Sequence, residues 1–105
     1  MRDDLLLQEI GVRIKNKRKE MNMTQERLAE LMDVSIQMIS NLEQGKKAIR
    51  PENIVKLCNS LDVSSDYILR GQYSEYEVSE IYQKFDRLSP QRKKVVEILI
   101  EELLK

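Results

Sequence analysis

Apolar residues recur three and four positions apart along nearly the whole chain, and the breaks between the runs carry helix start and stop signals. A first helix is expected from about Gln8 to Met21, with Ile10, Ile14 and Met21 facing inward and Arg18 on the same stripe. Leu5, Leu6 and Leu7 are contiguous, so at most two of them can share a buried face, and residues 1–8 read as a frayed lead-in. Thr24 is placed to cap a second helix, with Met23 before it stapling onto Leu28 and with Leu28, Leu31 and Met32 repeating on one face. The pattern breaks at Asp33-Val34. Ser35 then restarts the same device, with Ile39 at the staple position and Leu42 one turn on. This third helix stops at Gly45, the residue type best suited to the left-handed position after a helix end.

Pro51 is favoured at the first position of a fourth helix, whose buried stripe is Ile54, Leu57, Cys58 and Leu61. Asp62-Val63-Ser64 repeats the turn device, Val63 can staple to Ile68, and a short fifth helix ends before Gly71. Gly71-Gln72 is a brief hinge. Ser74 and Glu77 then form a capping box ahead of Val78, Ile81, Tyr82 and Phe85 at helical spacing. Ser89-Pro90 opens a last helix bearing Val95, Val96, Ile98, Leu99, Ile100, Leu103 and Leu104. The expected class is all-α, with residues 1–71 forming a five-helix domain and residues 72–105 a two-helix tail. More than half the circumference of the last helix is apolar, which exceeds what one face of so small a domain can cover. A second copy is therefore expected on Val95, Val96, Leu99, Ile100 and Leu103. The alternative is that the last two helices pack wholly onto their own domain.

Composition narrows the chemistry. One Cys and no His leave neither a disulfide framework nor a zinc site, and Cys58 on an apolar stripe reads as a small core residue. There is no Gly-rich phosphate loop and no nucleophile–base pair, so no enzyme, metal or cofactor is expected. No apolar run approaches membrane-spanning length, and the first residues lack a signal peptide's pattern, which together suggest a cytoplasmic protein. The formal net charge is zero, but it is unevenly spread: residues 13–50 hold nine basic and five acidic residues, a net +4 that the rest must offset with −4. That asymmetry suits a basic face on an otherwise acidic body. Solvated helix faces are the blander account.

The second and third helices, joined by so short a turn and sharing an apolar face, form a helix-turn-helix. The outward residues of the third are Ile36, Gln37, Ser40, Asn41 and Gln44, and four of these five carry amides or hydroxyls able to hydrogen-bond to base edges. The string T-Q-E-R-L-A-E-L-x-x-V-S-x-x-x-I-S-N-L-E-x-G-K, residues 24–46, resembles the phage-repressor and Cro (XRE) helix-turn-helix family, and the similarity covers roughly residues 9–70. Two positions depart from the family pattern. Asp33 stands where Gly is usual in the turn, although Asp tolerates left-handed backbone. Ile36 is apolar at a base-facing position, where it can touch a thymine methyl but makes no hydrogen bond.

The resemblance implies a lambda-repressor-like domain that binds double-stranded DNA and regulates transcription, as a repressor and as a homodimer on two half-sites. It implies base contacts from Gln37 and Asn41, then Ile36 and Ser40. Phosphate contacts fall to Gln25 at the start of the second helix, Ser35, Lys46 and Lys47, with Arg50 as a further candidate. Arg18 needs a carboxylate, since a buried unpaired charge is costly. Glu43, on the inward side of the third helix, is the available one, and the family pairs these two positions; a phosphate contact by Arg18 is the secondary reading. The competing function is a protein–protein module, an antitoxin or a bridging factor whose last helices hold a partner protein.

Overall fold

The computed structural model describes residues 2–105, with side chains from residue 4 onward. Its elements are seven helices: α1 (Arg2–Glu20), α2 (Gln25–Met32), α3 (Ile36–Glu43), α4 (Pro51–Leu61), α5 (Ser65–Arg70), α6 (Glu75–Asp86) and α7 (Pro90–Leu103). No strand occurs among the described residues. The chain divides into two compact units, Met1–Gln72 and Tyr73–Lys105.

In the first unit, α1 packs on α3 and α5, α2 packs on α3 and α4, and α4 packs on α5. The side chains of Ile14, Leu28, Met32, Ile39, Leu57, Leu61 and Ile68 are completely buried, and Ile10, Ala29 and Leu42 complete the core. Each buried aliphatic side chain of this size contributes about 1.5–3 kcal/mol. Cys58 lies half-buried against the same cluster.

Three connectors share one construction. Asn22, Asp33 and Asp62 each take positive φ, between 52° and 55°. The next residue, Met23, Val34 or Val63, donates its N–H back to the carbonyl of Arg18, Ala29 or Cys58, closing the preceding helix, and packs partly buried on the core. Thr24, Ser35 or Ser64 then caps the following helix, its hydroxyl accepting from the backbone N–H of Arg27, Met38 or Tyr67 at 3.0–3.1 Å. Asn and Asp pay little for the left-handed conformation, which lets one three-residue unit end one helix and start the next.

Three expectations need correction. The lead-in is helical, since α1 begins at Arg2: residues 2–8 contain no helix breaker, and the backbone of Gln8 braces against Gly45. Met21 lies beyond the end of α1 and is 41% exposed, because the chain turns away at Asn22 and Met23 takes the inward place. Leu31 is 43% exposed, because α2 buries Leu28, Ala29 and Met32 and leaves Leu31 at the rim.

The second unit is a helical hairpin. Ser74 and Glu77 form a reciprocal capping box on α6, and Ser89 caps α7 ahead of Pro90. Lys93 ties the two helices near the turn, 3.4 Å from Asp86 and 5.7 Å above the Phe85 ring. An apolar groove runs away from the turn between Val78, Ile81, Tyr82 and Phe85 of α6 and Val96 and Ile100 of α7. Neither helix buries a single residue.

Candidate nucleic-acid interface

Helix α3 is held against α1 by a buried ion pair. Arg18 donates Nε to Glu43 Oε2 at 2.6 Å and Nη2 to Glu43 Oε1 at 3.0 Å, a bidentate pair between the last turn of α1 and the last turn of α3. Arg18 Nη1 donates to the Met23 carbonyl at 2.7 Å, and Gln25 Nε2 donates to Glu43 Oε1 at 3.0 Å. Among the described residues no buried side-chain polar atom lacks a partner, so the cost of burying these charges is met by hydrogen bonds on every side. The hydrogen bond to Glu43 holds the Arg18 guanidinium above its already high ordinary pKa, against the opposing effect of burial. The network therefore contains a permanently charged guanidinium. It joins α1, the entry to α2 and the end of α3 through four residues.

Gly11 brings α1 and α3 close together. A Cβ built there would lie 2.4 Å from the Glu43 carbonyl oxygen and 2.5 Å from that of Leu42, so any side chain would push α3 outward. Gly45 closes α3 at φ +71°, with its N–H on the Leu42 carbonyl and the Lys46 N–H on that of Asn41. Lys46 and Lys47 follow at once and are exposed.

On the outer side of α3, Ile36 is 47% exposed, Gln37 and Gln44 are exposed, and Ser40 and Asn41 are half-exposed. Gln37 Nε2 donates to Asn41 Oδ1 at 3.0 Å, and Gln44 Nε2 donates to Ser40 Oγ at 2.8 Å. The first pair still presents one acceptor, Gln37 Oε1, beside one donor group, Asn41 Nδ2, the combination that an adenine edge requires. Ser35 is exposed at the start of α3 with its hydroxyl engaged as the cap. Gln25 is half-buried, its amide turned onto Glu43. Arg50 is largely exposed, 3.8 Å from Glu52. Val95, Leu99, Ile100 and Leu103 of α7 are exposed and Val96 is half-exposed, all of them in the other unit.

Sequence reasoning passed over three residues that shape this site. Gly11, isolated in a helical run, is the usual sign of a close approach. Asn53 is buried one turn before Leu57, with its amide 3.7 Å from Met38 Sδ, and its position on the α4 stripe was the available signal. Arg13, counted only as part of a basic face, donates to the Ile68 carbonyl at 3.1 Å near the end of α5.

Residues 14–68 match the helix-turn-helix family (HTH_3). The chain belongs to that family. DNA binding and transcriptional regulation come with it, and the likeness extends to named phage regulators. The chain is 28% identical over 98 residues to the cryptic phage CTXphi transcriptional repressor RstR of Vibrio cholerae, covering 90% of this chain and 87% of the relative. It is 33% identical over 70 residues to repressor protein C2 of Salmonella phage P22, covering 67% of this chain and only 32% of that repressor's length. Among solved structures, the P22 c2 repressor in complex with synthetic operator 9T superposes with a TM-score of 0.60 at 34% identity, over 62% of this chain and 98% of that one. The family match takes in the ion pair and the whole of α2 and α3.

Proposed function

We propose that this chain is a cytoplasmic transcriptional repressor that binds a two-half-site operator as a homodimer. Helix α3 enters the major groove and α2 lies across the backbone, the docking established for helix-turn-helix proteins. Gln37 and Asn41 read base edges, flanked by Ile36 against a thymine methyl and by Ser40. Lys46, Lys47 and Arg50 neutralise phosphates beyond the end of α3, and Ser35 and Gln25 lie along the backbone track. In Gln25 the amide is shared with Glu43, so its phosphate contact joins the DNA to the ion-pair network. The observation that carries this reading is the exposed, hydrogen-bonded Gln37–Asn41 pair on the outer face of an α3 anchored from behind by Arg18 and Glu43.

Selection of bound sequences from a random double-stranded pool tests the proposal. Enrichment of an inverted repeat with half-site centres about 34 Å apart is the expected result. Enrichment of nothing above background would remove the sequence-specific function. The exposed apolar surface of α6 and α7 also supports a second reading, in which the tail holds a partner protein as an antitoxin holds its toxin. Its sign would be a full chain that is monomeric alone.

A further inference from the structure

The charge along the tail is ordered in a way that its own helices do not explain. Residues 73–83 carry a net −3, residues 84–94 a net +4 and residues 95–105 a net −2. The middle block contains the hairpin turn and the flanking blocks form its open end, so the hairpin is basic at one end and acidic at the other. For α6 this order suits the helix dipole, with Glu75 and Glu77 in the first turn and Lys84 in the last. For α7 it opposes the dipole. Arg92, Lys93 and Lys94 crowd the N-terminal end, no acidic residue lies in the first turn and no basic residue in the last, and Glu101 and Glu102 occupy the C-terminal end. Exposed pairs within the hairpin offset part of this, Lys93 with Asp86, Lys94 with Glu97 and Lys105 with Glu102. The turn nonetheless keeps a net +4 and the open end a net −5, which leaves each end to be matched by opposite charge from outside the hairpin.

We infer that the occupant of the apolar groove is the tail of a second copy, stacked antiparallel so that the basic turn of each hairpin lies on the acidic open end of the other. This rests on the homodimer reading above and specifies its geometry. Antiparallel stacking is isologous: the turn of one hairpin meets the open end of its partner at both ends of the bundle, and opposite charges meet each time. Parallel stacking sets basic turn on basic turn and acidic end on acidic end. The apolar requirement is met in the same arrangement, because the Val95–Leu99–Leu103 stripe of each α7 lies beside the groove that Ile81, Phe85 and Ile100 leave open. The occupied surface is thus a four-helix bundle formed by two chains.

Charge reversal gives a test in which local and intermolecular effects have opposite signs. Arg92→Glu with Lys94→Glu, and separately Glu101→Lys with Glu102→Lys, each improve the match of α7 to its own dipole. Each loses one exposed pair, Lys94–Glu97 or Lys105–Glu102, contacts of small worth at a surface. Each set should nonetheless weaken self-association of the full chain by about tenfold or more, because the reversed positions then face like charge on the other copy. The net charge of the turn falls from +4 to 0, or that of the open end from −5 to −1. All four substitutions in one chain should restore association towards the wild-type value. Sedimentation equilibrium reads each outcome, with single half-site affinity as the control for folding. A spin label at position 87, as Arg87→Cys in a Cys58→Ser chain, should report a turn-to-turn separation of about 21 Å, the length of a 14-residue helix. A separation of about 10 Å, the distance between neighbouring helix axes, would overturn the antiparallel arrangement. So would a dimer whose association is unmoved by either reversal. A full chain that stays monomeric would overturn the dimer itself, which separates failure of the broader reading from failure of this one.

Discussion

Helices α2 and α6 begin alike. Thr24 caps one and Ser74 the other, each hydroxyl accepting from the N–H three residues on, and α6 adds the reciprocal bond, in which the Ser74 N–H donates to Glu77 Oε1. Their fates differ: the eight residues of α2 bury Leu28, Ala29 and Met32, while the twelve of α6 bury none. The contrast extends to the two units. Seven fully buried side chains hold residues 2–72, whereas residues 73–105 possess complete caps and no core of their own. Capping and propensity are therefore enough to specify a helix, and burial decides whether it needs company. A short amphipathic hairpin is marginal alone because helix stability comes mainly from the packed face.

The comparison is broken most directly by cutting the chain after Gln72. The first unit should remain folded and monomeric, since its caps close at Gly71 and its core draws on nothing beyond Leu69. Affinity for a full two-half-site operator should fall by about two to four decades once the link between the two readers is lost, while half-site affinity changes little. Circular dichroism, sedimentation and titration on both DNAs measure the three parts. A truncated chain that binds the full operator as well as the intact one would show that the tail contributes nothing to association.

Within the first unit, Arg18→Met or Glu43→Leu should cost about 3–5 kcal/mol, because each leaves a buried charge alone. The double substitution should regain much of the loss, and urea denaturation of all three variants provides the cycle. Additive losses would mean that the pair is not coupled.

Gly11→Ala is a smaller and more pointed change. Helix propensity favours Ala by about 1 kcal/mol, but the new Cβ meets the backbone of α3 at 2.4 Å. Overpacking against backbone costs about 1–3 kcal/mol, so net destabilisation is expected, with operator affinity reduced further by the displaced α3. A stabilised variant with intact binding would show that α3 can yield at no cost.

The smallest effects separate bases from phosphates. Gln37→Ala or Asn41→Ala should reduce discrimination between matched and scrambled DNA by about 1–3 kcal/mol. Lys46→Ala or Lys47→Ala should weaken binding to all sequences and flatten the salt dependence by roughly one unit. Titrations across salt concentrations distinguish the two classes, and identical behaviour would erase the division.

What could be read in advance follows from the range of the forces. Caps at Thr24, Ser35, Ser64, Ser74 and Ser89 are local, involving a hydroxyl and an N–H three residues away, and a linear reading finds them. Arg18 on an apolar stripe signals a need for a carboxylate, and Glu43 is where that carboxylate lies. Leu31 and Met21 were misjudged because periodicity marks a face without saying how far the neighbouring helix reaches across it. The turn of Gln25 onto Glu43, the hold of Arg13 on α5 and the contact at Gly11 depend on elements far apart in sequence, which spacing alone does not bring together.

The separation of faces on α3 has an evolutionary consequence. Ile39, Leu42 and Glu43 are its buried residues and Met38 packs partly buried against the core, while Ile36, Gln37, Ser40, Asn41 and Gln44 belong to neither group. Exposed substitutions away from caps and cores usually alter stability by less than about 0.5 kcal/mol. The outer face can therefore drift, or be transplanted from another repressor, almost independently of the scaffold that carries it. One framework can in this way acquire a new operator in a few mutational steps without passing through an unfolded ancestor.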